Sequence, residues 1–155
     1  MLALPNYEIN HKIYEGVKSV VYRGKSCQKE QPVIIKVLKA EYPSIEEIVC
    51  WRQEHEIIQN LNYDGVVKSY GLVNYRHVFA LILEDFGGQS LKRLLSQQGR
   101  LSLEQFLAIA IKITDSLRII HDQNIIHKDI NPSNIIYNSE TEQLKIIDFG
   151  ILNVL

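Results

Sequence analysis

Ile126-His127-Lys128-Asp129-Ile130-Asn131-Pro132-Ser133-Asn134, followed further on by Ile146-Ile147-Asp148-Phe149-Gly150, is the part of this 155-residue chain whose reading decides the rest. An Asp, an Asn five residues later and a second Asp before Phe-Gly have the spacing of a phosphoryl-transfer site. The chemistry accounts for the residue types. Moving a phosphoryl group from ATP needs a carboxylate to receive the acceptor hydroxyl's proton and two oxygen ligands to hold magnesium against the phosphates. Asp129, Asn134 and Asp148 can fill those three roles. Two short apolar runs, 135–137 and 144–147, separated by the polar turn 138–143, predict a hairpin that sets the Asp129 and Asp148 segments side by side.

Working back from this stretch, the apolar period is helical over residues 102–122, opened by a capping box of Ser102 and Gln105. Leu103, Phe106, Leu107, Ala110, Leu117 and Ile120 share one face, but Ile109, Ile111 and Ile113 lie elsewhere, which predicts burial on more than one side. A shorter helix fits 90–97. Before it, the Gly87-Gly88-Gln89-Ser90 region is the only linker-like stretch. The first forty residues read as three strands, 7–14, 20–23 and 33–38, in an antiparallel meander. Ser44 with Glu47 three residues on is a second capping box, and Ile45, Ile48, Trp51, Ile58 and Leu61 continue it as a helix. Two more strands fit 66–73 and 77–84, the latter apolar enough to lie inside its sheet. The expectation is an α+β fold: a five-stranded antiparallel sheet with one helix over residues 1–86, then an incomplete helical lobe over 87–155.

Lysine and arginine number 17 against 18 aspartates and glutamates, a balance that gives no electrostatic reason to expect nucleic acid or a membrane as partner. Cys27 and Cys50 are too few for a disulfide framework and suit a reducing compartment. The first residues are too short for a signal sequence and no apolar run reaches spanning length, so the expected location is cytoplasmic.

Lys36 alternates onto the face of its strand shared with Ile34 and Leu38, where an ammonium needs a partner. Glu54 offers one, since it lies on the helix stripe of Trp51, Ile58 and Leu61. Between the first two strands, Ile13-Tyr14-Glu15-Gly16-Val17-Lys18-Ser19-Val20-Val21 stands where a nucleotide-covering loop would be, with Tyr14 and Ser19 in place of the outer two glycines. Leu83-Glu84-Asp85-Phe86-Gly87-Gly88 suits a hinge whose backbone could bond an adenine edge. His127 reads as a residue that braces its loop rather than one that carries protons.

With these residues in order along the chain, the sequence resembles the eukaryotic-type protein kinase family from about Tyr7 to Leu155. Within it, the hinge stretch, the His127–Asn134 stretch and Asp148-Phe149-Gly150 look most like the serine/threonine-kinase-type domain that opens large bacterial multi-sensor hybrid signalling kinases. The resemblance implies ATP and Mg2+ as cofactors and a protein hydroxyl as acceptor. It implies Lys36 on the alpha and beta phosphates, Glu54 orienting Lys36, Asp129 as base, and Asn134 and Asp148 as magnesium ligands. It also implies Leu83 as gatekeeper, the backbone of Glu84 and Phe86 on adenine, and Ile13, Gly16, Val21, Ile34 and Ile136 around the nucleotide. The chain departs from the family pattern in several places. Ile34 replaces the usual alanine and could crowd adenine. Lys128 replaces the arginine whose guanidinium fork grips a phosphorylated activation loop. Asn131 replaces a lysine, removing a charge expected near the transferred phosphate.

The sequence runs only five residues past Gly150, so the family's activation segment and flooring helices are absent from it. The expectation is exposed apolar surface between Leu103 and Ile120, with self-association or dependence on another polypeptide such as the rest of a larger signalling kinase. A monomer that binds no hydrophobic dye would contradict this. Two alternatives stand beside the enzyme: a nucleotide-binding, pseudokinase-like regulatory module, and a fragment of a signalling protein without its own role.

Overall fold

The computed structural model describes residues 4–149 and the backbone of 153–154. Gly150 of the Asp-Phe-Gly motif falls outside them. The chain divides into two compact units, one of residues 1–56 and 68–86 and the other of residues 57–67 and 87–155.

In the first unit β1 (Tyr7–Glu15), β2 (Ser19–Ser26), β3 (Pro32–Leu38), β4 (Ser69–Tyr75) and β5 (Val78–Glu84) form an antiparallel sheet in the order β1-β2-β3-β5-β4. The apolar density of β5 matches its interior place: Phe79 to Leu83 are all buried. Val33, Ile35 and Val37 of β3 join Ala80, Ile82 and Leu4 in one core cluster, with Tyr7, Ile9 and Tyr22 packed against it. The strand expected over 66–73 begins only at Ser69. Val66 and Val67 are apolar because they are buried in the second unit, where Val66 bridges Ile146 and the Val67 N–H donates to the Ile146 carbonyl at 3.2 Å.

Gly24 in β2 pairs with Ile9 and with Val33. A Cβ there would run into the Glu8 carbonyl oxygen and lie 3.0 Å from Ile35 Cδ1. Backbone on one side and a core isoleucine on the other leave little room to relax. Gly24→Ala is therefore expected to cost roughly 1–3 kcal/mol and several degrees of melting temperature; an unchanged melt would show that the β1–β2 pairing is looser than described.

Helix α1 (Ile45–Leu61) starts at the expected capping box, the Glu47 N–H donating to Ser44 Oγ at 3.2 Å and the Ser44 N–H to Glu47 Oε2 at 2.9 Å. Its last turn, from Ile57, groups with the second unit. That unit also holds β6 (Gln89–Ser90), α2 (Leu91–Gln98), α3 (Leu103–Asp122), β7 (Ile125–Ile126), β8 (Ile135–Asn138), β9 (Gln143–Ile146) and β10 (Asn153–Val154). The β8–β9 hairpin forms with β6 alongside, and β7 pairs with β10. Two-residue strands such as β6 and β7 carry too few residues for a period to show.

Helix α3 has the Ser102–Gln105 capping box, but its buried side runs through Ile109, Ser116 and Ile120, with Ile113 partly covered. Leu103, Phe106, Leu107 and Ile111 are exposed, which is the apolar surface expected from the sequence. Leu91, Leu94, Ile109, Ile135 and Leu144 make this unit's core cluster. Among the described residues no helix is long and apolar enough to cross a membrane.

Candidate active site

In the first unit, strand pairing sets Val21 opposite Lys36, Lys36 opposite Leu81, and Ile34 between Arg23 and Leu83. Directly paired residues share a sheet face, so Val21, Ile34, Lys36 and Leu83 stand on one surface. Lys36 Nζ reaches both carboxylate oxygens of Glu54, at 2.9 and 3.0 Å. The Glu54 side chain is 1% exposed and that of Lys36 13%, so each charge depends on the other for what burial takes from it.

Trp51, one turn before Glu54, places its ring centroid 5.3 Å from Lys36 Nζ and 5.9 Å from the Phe79 ring. The negative face of an indole is a second, softer support for the ammonium. His55 Nδ1 lies 2.7 Å from Ser69 Oγ, tying the helix beside Glu54 to β4. The sequence pattern places Trp51 on the right stripe but gives no sign of either contact, since both depend on partners distant in the chain.

Gly16 sits at the β1–β2 turn, its N–H bonded to the Ser19 carbonyl at 2.9 Å. Lys39 Nζ bonds the Gly16 carbonyl at 3.2 Å and Glu15 at 2.9 Å. With Lys12 also on Glu15, two cations hold that exposed carboxyl down at about 2. The Tyr14 ring lies against Gly16, where an added Cβ would come within 3.0 Å of it. Ile13 falls at a break in the β1–β2 register and is exposed. In the stretch 83–88, the Glu84 N–H donates to the Lys68 carbonyl at 3.0 Å and its carboxylate accepts the Lys68 N–H at 2.7 Å. Asp85 takes Arg23 of β2 in a two-point pair, Nε to Oδ2 at 2.6 Å and Nη2 to Oδ1 at 3.2 Å.

In the second unit, the hairpin brings Asp129, Asn134 and the Asp148 segment together. The Asn134 N–H donates to the Asn131 carbonyl at 3.0 Å and the Ile147 N–H to the Asn134 carbonyl at 3.0 Å. Asn134 Nδ2 donates to the Asp129 carbonyl at 3.0 Å and to its carboxylate Oδ2 at 2.9 Å. Asn131 Nδ2 donates to the other carboxylate oxygen at 2.9 Å. Lys128 and Asp148 both adopt left-handed backbone, φ 62° and 67°, a conformation that a side chain resists and that no residue pattern announces. Ile136, in β8, pairs with Lys145 and Ser90.

His127 joins the two segments. It is buried, with Nε2 2.9 Å from the Ile147 carbonyl, Nδ1 accepting the Asp129 N–H at 3.3 Å, and its ring edge-on to buried Phe149 at 4.8 Å. A carbonyl on one nitrogen and an N–H on the other fix the neutral tautomer protonated at Nε2. Burial pushes its pKa below the ordinary 6.5, against the opposing pull of the Ile147 carbonyl, Asp148 and Asp129. The unfolded chain therefore takes up the proton first as pH falls. The stabilisation is complete above 6.5 and is lost below it, down through the folded-state value. Melting temperature is expected to fall between about pH 7 and about pH 5 more steeply in the parent than in His127→Gln, which keeps an N–H for Ile147 but does not titrate. Equal slopes would contradict the assignment.

The donor set suits magnesium. Because Asn134 spends its amide nitrogen on Asp129, its amide oxygen is the donor atom left to a cation, and the Asp148 side chain is a carboxylate, so both residues offer the hard oxygen type that magnesium takes. Magnesium takes one or two such ligands and completes its shell with phosphate and water. Among the described residues no three His, Cys, Asp or Glu side chains gather into a metal cage.

The protein kinase domain family matches residues 7–155. A probable serine/threonine-protein kinase of Clostridium perfringens is 32% identical over 94% of this chain and 21% of its own length. The serine/threonine-protein kinase PknL of Mycobacterium bovis is 30% identical over 94% of this chain and 37% of its own. The serine/threonine-protein kinase PrkC of Bacillus subtilis is 27% identical over 96% of this chain and 23% of its own. The chain thus spans well under half the length of these curated relatives. From the match along nearly its whole length, this chain belongs to the protein kinase domain family.

Proposed function

We propose that this chain is the nucleotide-binding and catalytic-loop portion of a serine/threonine protein kinase that transfers the gamma-phosphoryl group of ATP to protein hydroxyls in signal transduction. Lys36 binds the alpha and beta phosphates and Glu54 orients it. Asn134 and Asp148 hold Mg2+, which when bound neutralises the phosphate oxygens. Asp129 accepts the proton of the substrate hydroxyl. Val21, Ile34, Leu83 and Ile136 supply apolar walls for adenine, with Ile13 and Gly16 at the covering turn. The Glu84 N–H is engaged by Lys68, so an adenine contact at Glu84 falls to its carbonyl oxygen, with Phe86 supplying the other backbone group.

The observation that carries the reading is the Lys36 ammonium held by both oxygens of a carboxylate buried to 1%. Such a pair is costly to bury and adds little stability over an apolar pair, so its use must lie elsewhere. Binding a polyphosphate is the use that fits. Residues 1–86 and 87–155 are taken as the two lobes of one kinase domain. A cytoplasmic setting follows from the ATP requirement and two exposed free thiols, Cys27 and Cys50.

Incubation with gamma-labelled ATP, Mg2+ and serine- and threonine-containing peptides tests it. Label is expected on hydroxyls, and is expected to vanish in Asp129→Ala. Nucleotide binding with no transfer under any condition would favour the regulatory module instead.

A further inference from the structure

We propose that Asn131 is a positioning residue for Asp129: its side-chain N–H holds one carboxylate oxygen while Asn134 holds the other, so that neutral donors present the carboxylate in a single orientation. The inference rests on the transfer reading above, in which Asp129 is the base.

The contacts form a closed set. Asn131 Nδ2 lies 2.9 Å from Asp129 Oδ1 and 3.2 Å from the Asp129 carbonyl. Asn134 Nδ2 mirrors this at 2.9 Å from Oδ2 and 3.0 Å from the same carbonyl. The Asn131 amide cannot turn over, because its Oδ1 accepts the Ser133 N–H at 2.8 Å. The two asparagines are themselves linked through the Asn134 N–H and the Asn131 carbonyl, at 3.0 Å.

An aspartate carboxylate turns about a broad, shallow torsion, so one donor alone leaves its plane loosely set. Donors on both oxygens, each anchored in the same turn, remove that freedom. A carboxylate has about four acceptor positions; the two amides occupy one on each oxygen and leave the others for a substrate hydroxyl. Both donors are neutral. Position 131 therefore contributes orientation and no positive charge.

Asn131→Asp separates these roles, since it keeps an oxygen for the Ser133 N–H but replaces the donor by a like charge beside Asp129. Asn131→Ala removes both groups. Each variant is expected to lower kcat for transfer by about 10- to 100-fold, the range for a slightly misplaced reacting group, while KM for ATP stays within about 2-fold. Parent-like kcat in Asn131→Asp, or a raised KM at constant kcat, would overturn the proposal. Proton NMR gives a reading that needs no turnover. The Asn131 amide proton donated to the Asp129 carboxylate should exchange slowly with water in the parent and rapidly in Asp129→Ala, which keeps only the backbone carbonyl as acceptor; rapid exchange of that proton in the parent would overturn the clamp. A parent that binds Mg-ATP without transfer, yet shows slow exchange, would remove the transfer reading and leave the clamp standing.

Discussion

Lys36→Met is expected to lose about 3–5 kcal/mol of stability, whereas Lys36→Met combined with Glu54→Leu should recover most of it. The single change leaves the Glu54 carboxylate, 1% exposed, without its ammonium. Trp51, whose ring faces Lys36 Nζ at 5.3 Å, would then border a methionine rather than a cation. The double change puts apolar side chains of similar volume where two charges were, which in buried pairs is often neutral or favourable. Thermal melting reads the difference, roughly 6–20 °C for a chain of this size. Neither variant should bind Mg-ATP. A stable double variant without nucleotide affinity separates what the pair does for folding from what it does for function. If the single variant melts with the parent, the pair is not buried as described.

Asp148→Ala should reduce phosphoryl transfer by about 100- to 1,000-fold, the scale for removing one group that stabilises developing charge. The backbone at this residue is left-handed, φ 67°, which asparagine tolerates better than alanine, so Asp148→Asn measured beside it separates the carboxylate charge from the backbone cost. The stabilisation of the fold by ATP should also stop depending on magnesium in Asp148→Ala, because only Asn134 would remain of the two proposed ligands. In the parent, ATP with magnesium should raise the melting temperature more than ATP with a chelator. If Asp148→Ala retains a magnesium-dependent shift, the ion is held elsewhere.

Local rules account for much of the fold in advance. Ser44 with Glu47, and Ser102 with Gln105, mark helix starts that the hydrogen bonds realise, because a capping box involves only near neighbours. The β8–β9 hairpin and the interior place of β5 follow from apolar runs and turn residues. Lys36 and Glu54 find each other because each is out of place alone. Val66 and Val67 mislead, since two valines before a strand pattern extend it on paper, while in the structure their burial belongs to the second unit. On helix α3 the exposed Leu103, Phe106 and Leu107 are the apolar surface expected from the sequence, whereas the burial of Ser116 has no sign in the apolar period. In the site, the residue types of Asp129, Asn134 and Asp148 are legible from spacing. The left-handed backbone at Lys128 and the doubled amide clamp on Asp129 are not, because they arise from a turn whose hydrogen bonds a linear pattern does not encode.

Calorimetric titration of the chain with Mg-ATP tests the central assignment most directly. The prediction is saturable one-to-one binding that is lost in Lys36→Ala and weakened in Asp148→Ala. An absence of binding by the parent, or parent-like affinity in Lys36→Ala, would contradict it.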